Sequence, residues 1–265
     1  MDLATLWYLT TGTLLVAAAM TLWERKAHAP RARELGLWAA AYGVFALGCV
    51  VAMKRSALPG VTGPALTNIV MILGYLLVLQ GALALDGRRL HAALVAGLLA
   101  VVGAIWLAAG ASAVGLLWNH VSAFPIAVIC ALIALALWRS RTARRLRSRP
   151  IAVAVFAGHG LFYAARTFLV PVITALHGDG VLPLVAEITM YEAVLFTVAM
   201  SMSLLALVRE EDRARLVATA RTDFLTELHN RQGFFELAPR RLGRAARGAS
   251  HAMLAKSLRT RSPAS

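Results

Sequence analysis

Three residues able to do chemistry recur at helical spacing within one apolar run: His159, Tyr163 and Arg166, four and three residues apart. That spacing places an imidazole, a phenol and a guanidinium on one helix face. The next apolar run carries Glu187, Tyr191 and Glu192, and the preceding one carries Asn119 and His120. Ionisable groups inside apolar runs are costly, about 2.5–3.5 kcal/mol for a central Arg, and normally face a bundle interior and pair. At about 1.5 Å of rise per residue, Arg166 lies roughly 15 Å from one end of its run and Glu192 roughly 16 Å from the same end of the next. On adjacent antiparallel helices the two are level, so an Arg166–Glu192 ion pair is expected. Glu187, Asn119 and His120 lie roughly 9–10 Å from that end. Asn119, His120, Tyr163, Arg166, Glu187, Tyr191 and Glu192 therefore form a candidate intramembrane polar cluster. It serves either as a sensing site for a small ligand or as a buried pair that fixes helix register, and the residues leave both open. His159, roughly 25 Å from that end, cannot share a metal with His120. With no spaced His, Cys and carboxylate set elsewhere, no metal site and no catalytic residue is expected.

The elements that must position these groups are membrane spans. The chain has 265 residues, 59% of them hydrophobic and only 15% charged, with a formal net charge of +14. Mean hydropathy is +0.69. A soluble domain is about 45–50% apolar and about 25% charged, and several runs here reach the roughly 20 residues needed to cross a bilayer. Seven spans are expected: Leu3–Trp23, Leu35–Met53, Ala65–Leu85, Leu90–Gly110, Ala113–Trp138, Ile151–Leu176 and Val181–Val208. The first lacks a basic n-region and a small-residue cleavage site, so it reads as a retained helix. The connections are mostly short, so successive helices are expected to pack antiparallel. Pro125 and Pro171 are expected to kink their helices. The six tryptophans mostly fall near run ends, as an aromatic belt would place them. Cys49 and Cys130, both inside apolar runs, read as small core residues without a disulfide.

Lys and Arg are unevenly shared between alternate loops. One side carries Arg25, Lys26, Arg31, Arg33, Arg88, Arg89, Arg139, Arg141, Arg144, Arg145, Arg147 and Arg149, and the other only Lys54 and Arg55. By the positive-inside rule the N-terminus is outside and the C-terminus cytoplasmic. This clustering also accounts for the net charge without a nucleic-acid partner; the partner it implies is the lipid bilayer.

Beyond Leu207 the apolar run stops, but residues 209–220 contain no Gly or Pro to end a helix. A helical stalk over 209–222 is expected, with a ragged seam at Leu205, Val208, Asp212, Leu216 and Thr219 that would let two copies pair as a homodimer. Next come Asp223, Leu225, Thr226, Leu228, Asn230 and Arg231 at fixed spacing, followed by Phe234 and Phe235. A capping residue, apolar anchors three apart and a turn-forming Asn describe a short helix, a turn and a second helix.

This segment resembles the opening of the GGDEF family, the diguanylate cyclases, whose domains begin D-x-L-T-G-L-x-N-R. Glu227 departs from the usual Gly. The resemblance implies a structural opening motif, not a catalytic site, and a membrane-bound sensory cyclase, in a bacterial inner membrane, that joins two GTP into cyclic di-GMP. The intact family domain uses Mg²⁺ and GTP, held by carboxylates and a Gly-Gly-Asp/Glu-Glu-Phe turn. Neither occurs here: after Gly248 the sequence reads ASHAMLAKSLRTRSPAS. No cofactor and no cyclase activity is therefore expected of this chain. The tail, biased to Arg, Ala and Ser, suits a shifted reading frame; a gene that stops here is the other explanation.

The expected fold class is all-α. A seven-helix transmembrane sensor bundle (1–208) is followed by a cytoplasmic stalk (209–222) and a truncated α/β domain start (223–249). A disordered or out-of-frame tail (250–265) ends the chain. The alternative is a non-enzymatic membrane receptor acting through its stalk. A small transporter using the Arg166–Glu192 region is a third reading.

Overall fold

The computed structural model describes residues 3–118 and 122–220. Among the described residues every regular element is helical and none is a strand. Seven helices carry the architecture: α1 (Leu3–Ala27), α2 (Ala32–Met53), α3 (Thr62–Ala84), α4 (Ala92–Ala109), α5 (Ala123–Arg139), α6 (Arg149–His177) and α7 (Leu182–Ala220). Six are long and apolar enough to cross a membrane; α5, with 17 residues, is shorter. The fifth apolar run is divided, with a single helical turn at Val114–Leu116 before α5. Pro125 falls in the first turn of α5. A missing N–H costs little there, so this proline helps to begin a helix and does not kink one. Pro171 lies inside α6, which continues to His177.

The chain divides into one unit ending at Glu211 and a second from Asp212 onward, described only over its first helical residues. The opening motif Asp223, Leu225, Thr226, Leu228, Asn230 and Arg231 and the tail 250–265 lie outside the described residues, as do Asn119 and His120.

In the first unit α2 packs between α1 and α3, while α3 also touches α4 and α5. The helices meet through small residues, which let backbones approach closely. A Cβ added at Gly81 would lie 2.2 Å from Trp38 Nε1, and one at Gly74 2.5 Å from the Phe45 ring. Trp38 and Trp106 are therefore core residues, in contrast to the belt expected of them, whereas Trp23 and Trp138 are exposed near helix ends. Cys49 and Cys130 are buried free thiols. Helix α4 is the most apolar and buries only Val102 and Trp106. Its exposed Leu and Val side chains suit a helix long and apolar enough to cross a membrane. Leu184, Ile188, Tyr191, Leu195, Val198 and Met202 make a similar outward stripe on α7.

Successive helices pack together: α1 with α2, α2 with α3, α3 with α4, and α5 with α6. Helix α6 also meets α7, where Phe156 and His159 lie against Phe196. One end of the unit carries Arg55. The opposite end carries Asp86.

Candidate functional site

Polar side chains join α3, α6 and α7. The Tyr75 hydroxyl of α3 lies 2.7 Å from His159 Nε2 on α6, and His159 Nδ1 lies 2.7 Å from Glu192 Oε1 on α7. One tautomer satisfies both contacts: the hydroxyl donates to Nε2, and the Nδ1–H donates to the carboxylate. Phe196, one turn beyond Glu192, stacks on the imidazole with ring centroids 3.5 Å apart and planes within 7°. Tyr163, one turn beyond His159, closes the other side at 4.8 Å. Three helices are thus joined through one buried imidazole, and each of α6 and α7 contributes residues four apart on one face.

Beside this chain lies a cavity of about 170 Å³. Helix α7 lines it with Thr189, Met190, Ala193, Phe196 and Met200; Tyr163 and Arg166 of α6, Tyr75 and Asn68 of α3, and Arg55 belong to the polar part of its wall. The expected Arg166–Glu192 pair is not made. Glu192 bonds His159 instead, its Oε2 has no hydrogen-bond partner, and neither does Arg166 Nε. Arg166 stands 6.0 Å from the Tyr163 ring centre. The depth count failed because it set the two helices level from the ends of their apolar runs. His159 lies eighteen residues before the end of α6 and Glu192 only ten after the start of α7, so the two helices meet at unequal distances from their connection.

Of the expected cluster, Tyr163, Arg166 and Glu192 belong to the site. Glu187 and Tyr191 do not: both are exposed. They sit four apart on the outward face of α7, rotated about 100° or more from Glu192. The sequence reading missed Tyr75 and Phe196 and gave His159 no place in the cluster. The i,i+4 spacing of His159 with Tyr163 was a usable signal; a lone Tyr in the α3 run was none. Among the described residues no three His, Cys, Asp or Glu side chains are grouped to hold a metal.

The end carrying Asp86 is built differently. Arg31, at the start of α2, forks onto Glu211 of α7, Nε to Oε2 at 2.9 Å and Nη2 to Oε1 at 2.6 Å. Its Nη1 also donates to Glu34 at 2.9 Å and to the Leu85 carbonyl at 3.1 Å. Glu210 accepts the Arg147 and Ser148 amides at 2.7 and 2.9 Å and the Ser148 hydroxyl at 2.7 Å. It thereby satisfies donors at the N-terminus of α6 that no helix can satisfy itself. Arg209 pairs with Glu24 of α1. Three consecutive residues of α7, read from sequence as the start of a free stalk, are each tied to a different helix.

Asp86 organises the loop beyond α5, accepting the Ser140 hydroxyl at 3.0 Å and the Arg141 and Thr142 amides at 3.2 and 3.0 Å. Partial burial pushes its carboxyl up, but these donors outweigh it and hold the group below its usual range. At the opposite end, burial alone lowers Arg55. Its guanidinium lies 4.8 Å over the Trp118 ring and donates to the Ala52 carbonyl at 2.8 Å.

Comparison with family models, with curated proteins and with solved structures gave no match. The class defined by fold and site is a helical bundle suited to a membrane, with a buried polar chain beside a cavity.

Proposed function

We propose that the chain is a membrane sensor module in which α7 carries the state of the cavity to the opposite face. One observation carries this reading: α7 is a single helix that lines the cavity through Thr189, Ala193 and Phe196 and bears the three tied residues Arg209–Glu211 further along. A rigid helix touching both places moves both together. In this reading α5 is the seventh crossing. Its 17 residues are near the lower limit for a span, and it lies between α3 and α6. Seven crossings with the Lys and Arg bias put the N-terminus outside and α7's polar end in the cytoplasm of a bacterium.

The output we assign is that of the GGDEF family, on the opening motif Asp223 to Arg231. In an intact relative, paired stalks would bring two GTP-loaded domains together to form cyclic di-GMP with Mg²⁺. Within that reading the bundle is the sensing half, and the chain acts as a homodimer through its stalk. The bundle serves a receptor without its own enzyme equally well, since its part in both is to move α7.

The stalk reading is tested by single cysteines at each position from 212 to 219, oxidised in native membranes. Cross-linked dimer should rise and fall with a period of three to four residues. A flat profile at background level at every position would remove the homodimer.

A further inference from the structure

Most of the hydroxyls facing the cavity have already spent their protons. Thr10, Thr67, Thr189 and Thr197 each donate to the carbonyl four residues earlier, at 2.7–2.9 Å. Tyr75 is engaged with His159. The remaining donors include the guanidinium of Arg166, that of Arg55 beyond its bond to the Ala52 carbonyl, the amide of Asn68 and the Tyr163 hydroxyl. Arg166 Nε is buried without an acceptor, and Arg55 pairs with no carboxylate among the described residues. No Asp or Glu is among the described residues of the cavity wall. Among the described residues the wall itself holds two guanidinium groups and no carboxylate, the neighbouring Glu192 being engaged with His159, and buried charge without a counter-charge is costly. The rest of the wall, including Trp7, Phe45, Met71, Trp118 and Phe196, is apolar and aromatic. The volume, about 170 Å³, is close to that of an apolar cavity of about 150 Å³ that accepts benzene.

We propose that this cavity binds a small organic anion, a monocarboxylate with an apolar body about the size of one aromatic ring. Its carboxylate is taken by Arg166 with Arg55 in support, and its body lies against Phe45, Phe196 and Met200. The ligand supplies acceptors only, which is what a wall of unspent donors selects. The assignment rests on the sensor reading for its consequence, but its binding is measured separately. The same anionic chemistry is available from the headgroup of an acidic lipid, and the experiment separates the two sources.

The full chain is placed in nanodiscs of phosphatidylcholine and titrated with sodium benzoate, with benzyl alcohol as the neutral probe of similar size. Benzoate should bind saturably, and benzyl alcohol about tenfold or more weakly, since a charge-assisted hydrogen bond is lost. Arg166→Gln should weaken benzoate by a similar factor and leave benzyl alcohol unchanged, Arg166→Lys should recover part, and Arg55→Gln should weaken benzoate less. If Arg166→Gln fails to fold, the benzoate and benzyl alcohol contrast in the unaltered chain and the Arg55→Gln variant carry the test. If phosphatidylglycerol in the disc competes with benzoate, and Arg55→Gln or Arg166→Gln removes the competition, the anion site stands and a lipid headgroup is its source. Absence of saturable benzoate binding in phosphatidylcholine discs overturns the proposal, as does equal affinity for benzyl alcohol or wild-type affinity in both arginine variants. Benzoate binding without any movement of α7 leaves the site standing and defeats the sensor reading alone.

Discussion

The two ends of the bundle treat charge in opposite ways. At the end carrying Asp86, Arg31 has Glu34, Glu211 and a carbonyl, and Glu210 has three donors. Beside the cavity, Arg166 lies over the Tyr163 ring and Glu192 keeps one oxygen without a partner. Saturated polar groups fix one arrangement; unsaturated ones in an enclosed space favour an added partner. The contrast separates a part that holds α7 from a part that a ligand can complete. It also predicts that removing an arginine has opposite signs at the two ends.

Arg31→Leu should cost the most. It leaves Glu34 and Glu211 facing each other without their shared cation, and breaking such a partly buried pair costs about 3–5 kcal/mol. Arg31→Lys should recover only part, because an ammonium cannot fork onto Glu211. Denaturant unfolding of the full chain in nanodiscs reads both, and a loss below about 1 kcal/mol, the range of an exposed pair, would break the comparison at its strong end.

The His159–Glu192 contact should come next. His159→Phe strands the Tyr75 hydroxyl and the Glu192 carboxylate, a loss of about 2 kcal/mol. The cycle with Glu192→Gln should return a coupling of about 1 kcal/mol or more, whereas the cycle of Arg166→Gln with Glu192→Gln should return a smaller one. A larger coupling for Arg166 would restore the pair that sequence spacing suggested.

Arg166→Leu in the ligand-free chain should be neutral or stabilising, by about 1 kcal/mol, because an apolar side chain removes an uncompensated charge. A loss comparable to that of Arg31→Leu would show that Arg166 has a structural counter-charge. The smallest effect is that of pH on the loop held by Asp86. Its folded carboxyl is held below the ordinary value of about 3.9, so its contribution is complete above that pH. It is lost as pH falls through the lower folded value. Asp86→Asn should flatten this acid limb of the stability curve, and an unchanged limb would count against the loop contacts.

Much of this was legible in the sequence. Apolar runs gave the helices because hydrocarbon solvent forces the backbone to satisfy itself, and the His159, Tyr163 and Arg166 spacing gave one face of α6. Partner choice across helices was not legible. Counting from the ends of α6 and α7 sets Arg166 level with Glu192, whereas the helices meet at His159, which lies further from their connection than Glu192 does. Tyr75 is a single phenol in an apolar run, with no local pattern to distinguish it from a packing residue. Arg209, Glu210 and Glu211 looked like solvated stalk because their partners Glu24, Ser148 and Arg31 lie 62 or more positions away along the chain.

The central claim is that occupancy of the cavity moves α7, and it is tested most directly by a distance. Spin labels at Met202 on α7 and Leu47 on α2, both exposed, are read by pulsed dipolar spectroscopy in the full chain in phosphatidylcholine nanodiscs, with and without saturating benzoate. The account predicts a displaced distance distribution, by about 1–2 Å or more, that disappears in Arg166→Gln. An unchanged distribution with benzoate bound would contradict it.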